Sequence, residues 1–289
     1  MRYVICVEYE GTNYNGFQRQ YHNKLPTIQE SLESAIGKIA NHTIEVVTAG
    51  RTDAGVHAIN QICHFDTDSI RDPYNWLLGI NTYLPQDIAV KAIKQMPDEF
   101  HARFSAIARC YEYRILNRTA RSALNANKIT HYYFAKLDEQ KMQTAANYFL
   151  GEHDFSSFRA AECQARTPFR KIDEISVTRE EDKVMIFIQA NAFLHHMVRN
   201  ITGVLLDIGS SKKPIEYAKE ILDAKNRTLS SPTAKACGLY LTRVIYPEHF
   251  SIINSYYAES AQEDKGIIVQ TNPRPYDRKI YPYILRSSR

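Results

Sequence analysis

Apolar residues run almost unbroken from position 3 to 9, the pattern of a strand covered on both faces. At Thr27 the period changes. Ile28, Leu32, Ala35, Ile36 and Ile39 recur along one face of a helical repeat, and Thr27 with Glu30 forms a capping box that starts it. Two strand-like runs follow, 43–47 and 61–65, on either side of a glycine-bounded turn. A short helix over 74–84 ends before Pro85, and a strand over 88–93 closes this part. A similar order then recurs: strand 109–116, helix 137–150, and a hairpin of 175–178 and 184–190 around the polar turn 179–183. In the helix predicted over 193–208, Met197, Ile201, Val204, Leu205 and Ile208 keep helical spacing and Gly209 supplies the stop. Pro214 suits the first position of the next helix, 214–224, and a last strand spans 238–246.

Two β-α-β-β-α-β units in tandem predict an α+β protein with mainly antiparallel sheets, helices on one face and a cleft on the other. The boundaries fall at 1–105 for the first half, 106–250 for the second and 251–289 for an extended or partly disordered tail. That tail holds Pro273, Pro275 and Pro282 and keeps no sustained periodicity outside 266–269. The same unit underlies a common four-stranded RNA-binding module, whose aromatic signature is missing from this chain.

Composition narrows the class. With 289 residues, 44% of them hydrophobic, the chain can fill one large or two medium cores. No apolar run approaches the ~18 residues of a membrane span. The first strand-like run begins beside the initiator Met with no basic n-region, long apolar h-region or small-residue cleavage site, so secretion is not expected. Cys6, Cys63, Cys110, Cys163 and Cys237 are scattered and never form C-x-x-C, so neither a disulfide framework nor a zinc site is expected, and a reducing cytoplasm fits. Phosphate-cradling glycine motifs are absent from the sequence, which argues against a nucleotide cofactor. Net charge is only +4, and its distribution says more than its total. Arg103, Arg109, Arg114, Arg118 and Arg121 fall in one stretch, and Arg159, Arg166, Arg170 and Lys171 in another. Tyr111, Tyr113, Phe155, Phe158 and Phe169 lie among them. That mixture suits phosphates and bases together, and a solvated face over ordinary core aromatics accounts for it equally.

The turn from Gly50 to Ala58 carries the clearest chemistry. It sets Arg51 and Asp53 in a tight loop at the end of a predicted sheet, where reactive groups are commonly housed. On local sequence alone, an Asx turn in which Asp53 caps its own backbone explains the residue as well. His195 and His196 lack the H-x-x-x-H spacing of a helical metal pair, so a structural or RNA-contacting role is expected for them.

Six blocks together resemble the bacterial tRNA pseudouridine synthases of the TruA family. They are Tyr9-Glu10-Gly11-Thr12 with Gly16-Phe17-Gln18-Arg19-Gln20; Gly50-Arg51-Thr52-Asp53-Ala54-Gly55-Val56-His57-Ala58; and Phe100-His101-Ala102-Arg103-Phe104-Ser105-Ala106 with Arg109-Cys110-Tyr111-Glu112-Tyr113. Further on come His153-Asp154-Phe155-Ser156-Ser157-Phe158-Arg159, Phe193-Leu194-His195-His196-Met197-Val198-Arg199-Asn200-Ile201 and Gly238-Leu239-Tyr240-Leu241. The resemblance implies the pseudouridine synthase fold around an RNA-binding cleft. It makes Asp53 the catalytic carboxylate, Tyr111 the aromatic that stacks on the target base and serves proton transfer, and Arg199 the partner that orients Asp53. Arg51 would brace the loop, with Thr52, His57, Arg103, Arg109, Arg159, Arg166 and Arg170 as supporting or RNA-contacting positions.

It further implies a homodimer acting on the anticodon arm of tRNA at uridines 38–40, without metal or organic cofactor. Uridine isomerisation needs the C1′–N1 bond broken, the uracil turned and rejoined through C5, and the C5 proton removed. A carboxylate serves this either as nucleophile at C1′ or as a base on the sugar. Glu10, Phe17 and Lys235-Ala236-Cys237 depart from the family pattern and leave local tRNA contacts open. The rival readings are a noncatalytic RNA-binding protein on the same scaffold, and a synthase aimed at a different RNA.

Overall fold

Ten strands share one sheet in the computed structural model, which describes residues 1–20 and 25–250. The first part of the chain supplies β1 (Arg2–Tyr9), α1 (Ile28–Ala40), β2 (Val47–Thr48), β3 (His57–Asp66), α2 (Pro73–Tyr83) and β4 (Ile88–Met96). The second supplies β5 (Ala108–Leu116), β6 (Thr130–His131), α3 (Glu139–Ala146), β7 (Gly151–Asp154), β8 (Phe169–Glu180) and β9 (Lys183–Ala190). It continues with α4 (Met197–Gly209), α5 (Tyr217–Ala224) and β10 (Leu239–Ile245). Across the sheet the order is β4-β1-β3-β10-β5-β9-β8-β7, with β2 on β3 and β6 on β5. The ladders are antiparallel except β5 with β6 and β3 with β10, the latter setting Tyr240 opposite His57 and Leu241 opposite Ala58. Strands of 1–105 therefore lie together at one end of the sheet and those of 106–250 at the other. This is the α+β, largely antiparallel architecture expected from the pattern.

Strand alternation builds the core. Tyr111, Tyr113 and Ile115 on β5 face the same side as Ile188, Ile186 and Val184 opposite them on β9, and as Leu241 and Leu239 on β10. All eight are buried. α3 packs on β8 and on α4, and α4 meets α5. Nearly every residue of α4 is buried, so this helix has little polar face to spare, and its Arg199 stands out.

Element boundaries shift for identifiable reasons. The run 43–47 forms a ladder only at Val47–Thr48, because the Val46 N–H is taken by the buried Glu33 carboxylate at 3.0 Å, not by a strand. The helix expected over 137–150 starts after Asp138, whose side chain accepts from Gln140 and Lys141 N–H, and tightens into a 3₁₀ turn at Asn147–Phe149. That expected from 193 begins only at Met197, since His196 sits in the left-handed region at φ 64°. That expected from 214 begins at Tyr217. The expectation of an extended tail at 251–289 lies outside the described residues.

Candidate active site

The loop between β2 and β3 owes its shape to its neighbours. Thr52 is buried, its hydroxyl 2.8 Å from the Tyr9 hydroxyl, while its carbonyl accepts the Phe17 N–H at 3.0 Å. Gln61 donates to the Gly50 carbonyl at 2.7 Å. The Val56 N–H closes a turn on the Asp53 carbonyl at 3.1 Å, with Gly55 at φ 75°, where a side chain would be strained. Gly16 does the same from the opposite side: at φ 80°, an added Cβ would stand 2.7 Å from the Thr52 carbonyl oxygen. With the backbone held in these ways, the Asp53 side chain is not an Asx cap. It points to α4.

There the Arg199 Nη1 donates to Asp53 Oδ2 at 2.9 Å, and the Arg199 Nε donates to the Ala234 carbonyl at 2.8 Å. The Ala234 N–H returns to the Arg199 backbone carbonyl at 3.1 Å, tying the segment that anchors the guanidinium back to α4. Behind it, fully buried Asn200 donates to the Phe158 carbonyl and accepts from Arg227 and Thr233. His195 Nε2 lies 3.3 Å from Asp53 Oδ1, and His196 Nε2 lies 3.3 Å from Oδ2. Adjacent residues within a helix point in different directions, but both histidines precede α4. The left-handed His196 backbone brings both rings to one carboxylate, their centroids 4.1 Å apart. Ligand atoms of Asp53, His195 and His196 lie within 4.8 Å of one another, close enough for a metal ion. Arg199 already sets a positive charge against the same carboxylate.

Tyr111 lies below the loop, buried, with its ring edge-on to Phe193 at 5.1 Å between centroids. Gly50 packs over its hydroxyl. Burial, and then the Asp53 charge, push this phenol well above the usual tyrosine range, with Arg109 opposing, so it stays a neutral hydroxyl at physiological pH. His196 is pushed below the usual histidine value by burial. Asp53 opposes that shift, while Arg199, His195 and Arg227 add to it.

The remaining predicted positions divide sharply. Arg51 and Arg103 are exposed, and the nearby positive charge of Arg103, after burial, lowers the Arg51 pKa. Arg103 also covers the Phe104 ring at 5.6 Å, and Arg166 is exposed. Arg109 instead turns inward. It donates to the carbonyls of Ala49, Arg103, Ala106 and Asn191 at 2.6 to 3.1 Å, joining the segment before the Asp53 loop to two others. Arg159 holds the carbonyls of Cys163 and Ala165, and Arg170 those of Thr167 and Phe169. His57 is 1% exposed, so it presents no surface to a ligand. Its Nδ1 accepts the Gly11 N–H at 3.0 Å, which leaves the hydrogen on Nε2 to meet the Asn127 carbonyl, also at 3.0 Å. Sequence reasoning missed His195 and His196 as neighbours of Asp53, and no signal short of the backbone twist at His196 could have placed them there.

A family model described as tRNA pseudouridine synthase matches residues 5–105 and 145–247. The tRNA pseudouridine synthase A of Glaesserella parasuis serovar 5 is 52% identical over 252 residues, covering 87% of this chain and 95% of that protein. The tRNA pseudouridine synthase A of Vibrio vulnificus strain YJ016 is 51% identical, covering 87% and 94%. That of Colwellia psychrerythraea strain 34H is 51% identical over 255 residues, covering 88% and 97%. Among the described residues, no helix is long and apolar enough to cross a membrane.

Proposed function

The chain belongs to the tRNA pseudouridine synthase family, and from that premise we propose that it isomerises uridine to pseudouridine in the anticodon arm of tRNA, at positions 38–40, with Asp53 as the catalytic carboxylate. The observation that carries the assignment is the Asp53–Arg199 pair, 2.9 Å apart, with Asp53 on the loop whose Gly50 lies by the hydroxyl of buried Tyr111. An RNA-binding surface alone has no need of a carboxylate held by a guanidinium beside a phenol.

In the proposed reaction the C1′–N1 bond breaks, the uracil turns, C5 bonds to C1′, and the C5 proton passes to solvent as N1 is reprotonated. Atoms balance with no redox step. A stacked stem hides the sugar bond, so the nucleotide leaves the stack, and Tyr111 with Phe193 offers the apolar platform for the extruded base. Asp53 acts as nucleophile at C1′ or as base on the sugar. Arg199 holds it aimed, a task for which a planar guanidinium anchored at Ala234 is better suited than an ammonium. The raised pKa of Tyr111 makes its hydroxyl a neutral proton carrier and not a resident phenolate. Exposed Arg51, Arg103 and Arg166 are the phosphate-facing candidates, and two subunits of a homodimer would pool them along one tRNA. A cytoplasmic location follows from the substrate.

The test is tritium release from C5-labelled uridine in tRNA. Asp53→Asn is expected to abolish release while retaining tRNA binding, and turnover equal to wild type would eliminate the mechanism. Pseudouridine mapping in tRNA from cells lacking the protein locates the target, and loss confined to positions outside 38–40 would reassign it.

A further inference from the structure

We propose that Phe104 is a further substrate-positioning residue, a wedge on which the base beside the target uridine stacks while that uridine is out of the helix. The proposal rests on the pseudouridylation reading above. An apolar side chain left singly on a surface is ordinary and by itself says nothing. Phe104, 75% exposed, is distinguished by how firmly it is held. The turn that carries it runs from His101 to Ser105, where the Ser105 N–H donates to the His101 carbonyl and the Ser105 hydroxyl accepts the His101 N–H, both at 2.9 Å. His101 Nδ1 accepts the N–H groups of Arg103 and Phe104 at 3.2 Å each, and its ring lies against the Phe104 ring with centroids 4.3 Å apart. Beneath, buried Ala102 gives its N–H to His64 Nδ1 at 3.1 Å and takes the Tyr246 hydroxyl on its carbonyl at 2.7 Å. A ring presented to solvent on so constrained a turn loses little freedom when something stacks on it.

Its neighbours identify the partner. Arg109 Nη2 donates both to the Arg103 carbonyl and to the Ala49 carbonyl, so the turn carrying Phe104 abuts the segment that leads into the Asp53 loop. Two exposed guanidiniums gather there. Arg103 stands over the Phe104 ring at 5.6 Å and leaves it three-quarters exposed, and Arg51 lies near enough for the Arg103 charge to act on it. Neither guanidinium forms an ion pair among the described residues, so like charges are held close with no acid between them. Unneutralised positive charge beside a flat apolar ring suits a strand of nucleic acid, its phosphates on the arginines and one base on the ring. Extruding a nucleotide takes a stacking partner from each base next to it, and an apolar wedge that replaces that partner lowers the cost of extrusion.

The experiment is single-turnover tritium release from C5-labelled uridine in two tRNAs, one with the target uridine paired in its stem and one with the opposing base changed to break that pair. Phe104→Ala is expected to slow release from the paired tRNA by about 10- to 100-fold, the range that loss of one base–aromatic stack produces. Phe104→Trp should stay within about threefold of wild type, and Phe104→Leu should fall between. On the tRNA with the broken pair, where extrusion is less costly, the alanine variant should come within about threefold of wild type on the same tRNA. A merely structural role for the ring would slow both alike. Equal slowing on the two tRNAs, or wild-type rates on both, would overturn the proposal and leave the function standing. A change from dimer to monomer in Phe104→Ala, read by sedimentation, would also overturn it, making the ring a contact between copies of the chain. Failure of the wild-type protein to release tritium from either tRNA would instead overturn the function.

Discussion

Replacing Arg199 with methionine separates two jobs that a guanidinium beside a carboxylate can do. One is electrostatic. At about 4 Å between charge centres and an effective dielectric near 20, the pair is worth roughly 4 kcal/mol. The side chains are 15% and 21% exposed, which justifies halving that figure to about 2 kcal/mol. The other job is aim. Arg199 is tied to the Ala234 carbonyl through Nε and to Asp53 through Nη1, and this double attachment fixes where the carboxylate points. Aim should therefore dominate. Arg199→Met is expected to lower single-turnover tritium release by about 10²-fold, with no pH at which it recovers. Arg199→Lys restores the charge without the fork and should recover less than about a tenth of the lost rate. Filter binding should show tRNA affinity within about threefold for both. A lysine variant at near wild-type rate would refute the reasoning, since charge alone would then suffice.

Tyr111→Phe keeps the ring and removes the hydroxyl, so tRNA should still bind while product formation drops by at least about 10²-fold; full activity would reject the proposed proton-transfer role of the phenol. Arg109→Ala breaks four hydrogen bonds to carbonyls and should lower stability by about 3 kcal/mol in urea titration, with tRNA affinity little changed. A stable variant with weakened tRNA binding would return that residue to the RNA face. His64 accepts the Ala102 N–H through Nδ1 at 3.1 Å and is pushed down to about 4, chiefly by burial. Its neutral form is the folded one, so the stability it contributes is present above the ordinary histidine pKa and is lost as pH falls from about 6.5 toward 4. The urea midpoint should decline over that window, and an equal decline in His64→Gln would show that other groups are responsible.

The sequence pattern carried the sheet and helices well where burial dictates period, as in β1, α1 and β9. It failed where one local contact outweighs period. Val46 has a strand-like side chain, yet its N–H goes to the Glu33 carboxylate, a partner thirteen positions back that no alternation reveals. Charge clustering overstated the RNA surface for a related reason. Arg109, Arg159 and Arg170 read as phosphate ligands because arginines outside helices are usually solvated, whereas here each donates to nearby carbonyls. Arg51, Arg103 and Arg166 remain exposed. The Asp53 loop was legible because its glycines announce a turn and its acid has no apolar reason to be there. His195 and His196 were not, because adjacent side chains converge only after the backbone between them reverses hand.

Why Asp53 and Arg199 meet at all follows from one feature of the sheet. Antiparallel neighbours send their leading loops to opposite ends, whereas parallel neighbours begin at the same end. β3 and β10 pair in parallel at their first residues, so the loop entering β3 and the loop entering β10 emerge side by side. The first carries Asp53 and the second carries Ala234, the anchor of Arg199. A Cβ at Gly55 would lie 3.4 Å from the Ala236 Cβ, which places the two loops in contact. Tyr111 joins them because β10 continues the sheet into β5, with Leu241 directly opposite Tyr111. Strand order thus assembles the site from segments far apart in the chain, and α4 needs only to bring one arginine to a junction the sheet has already made.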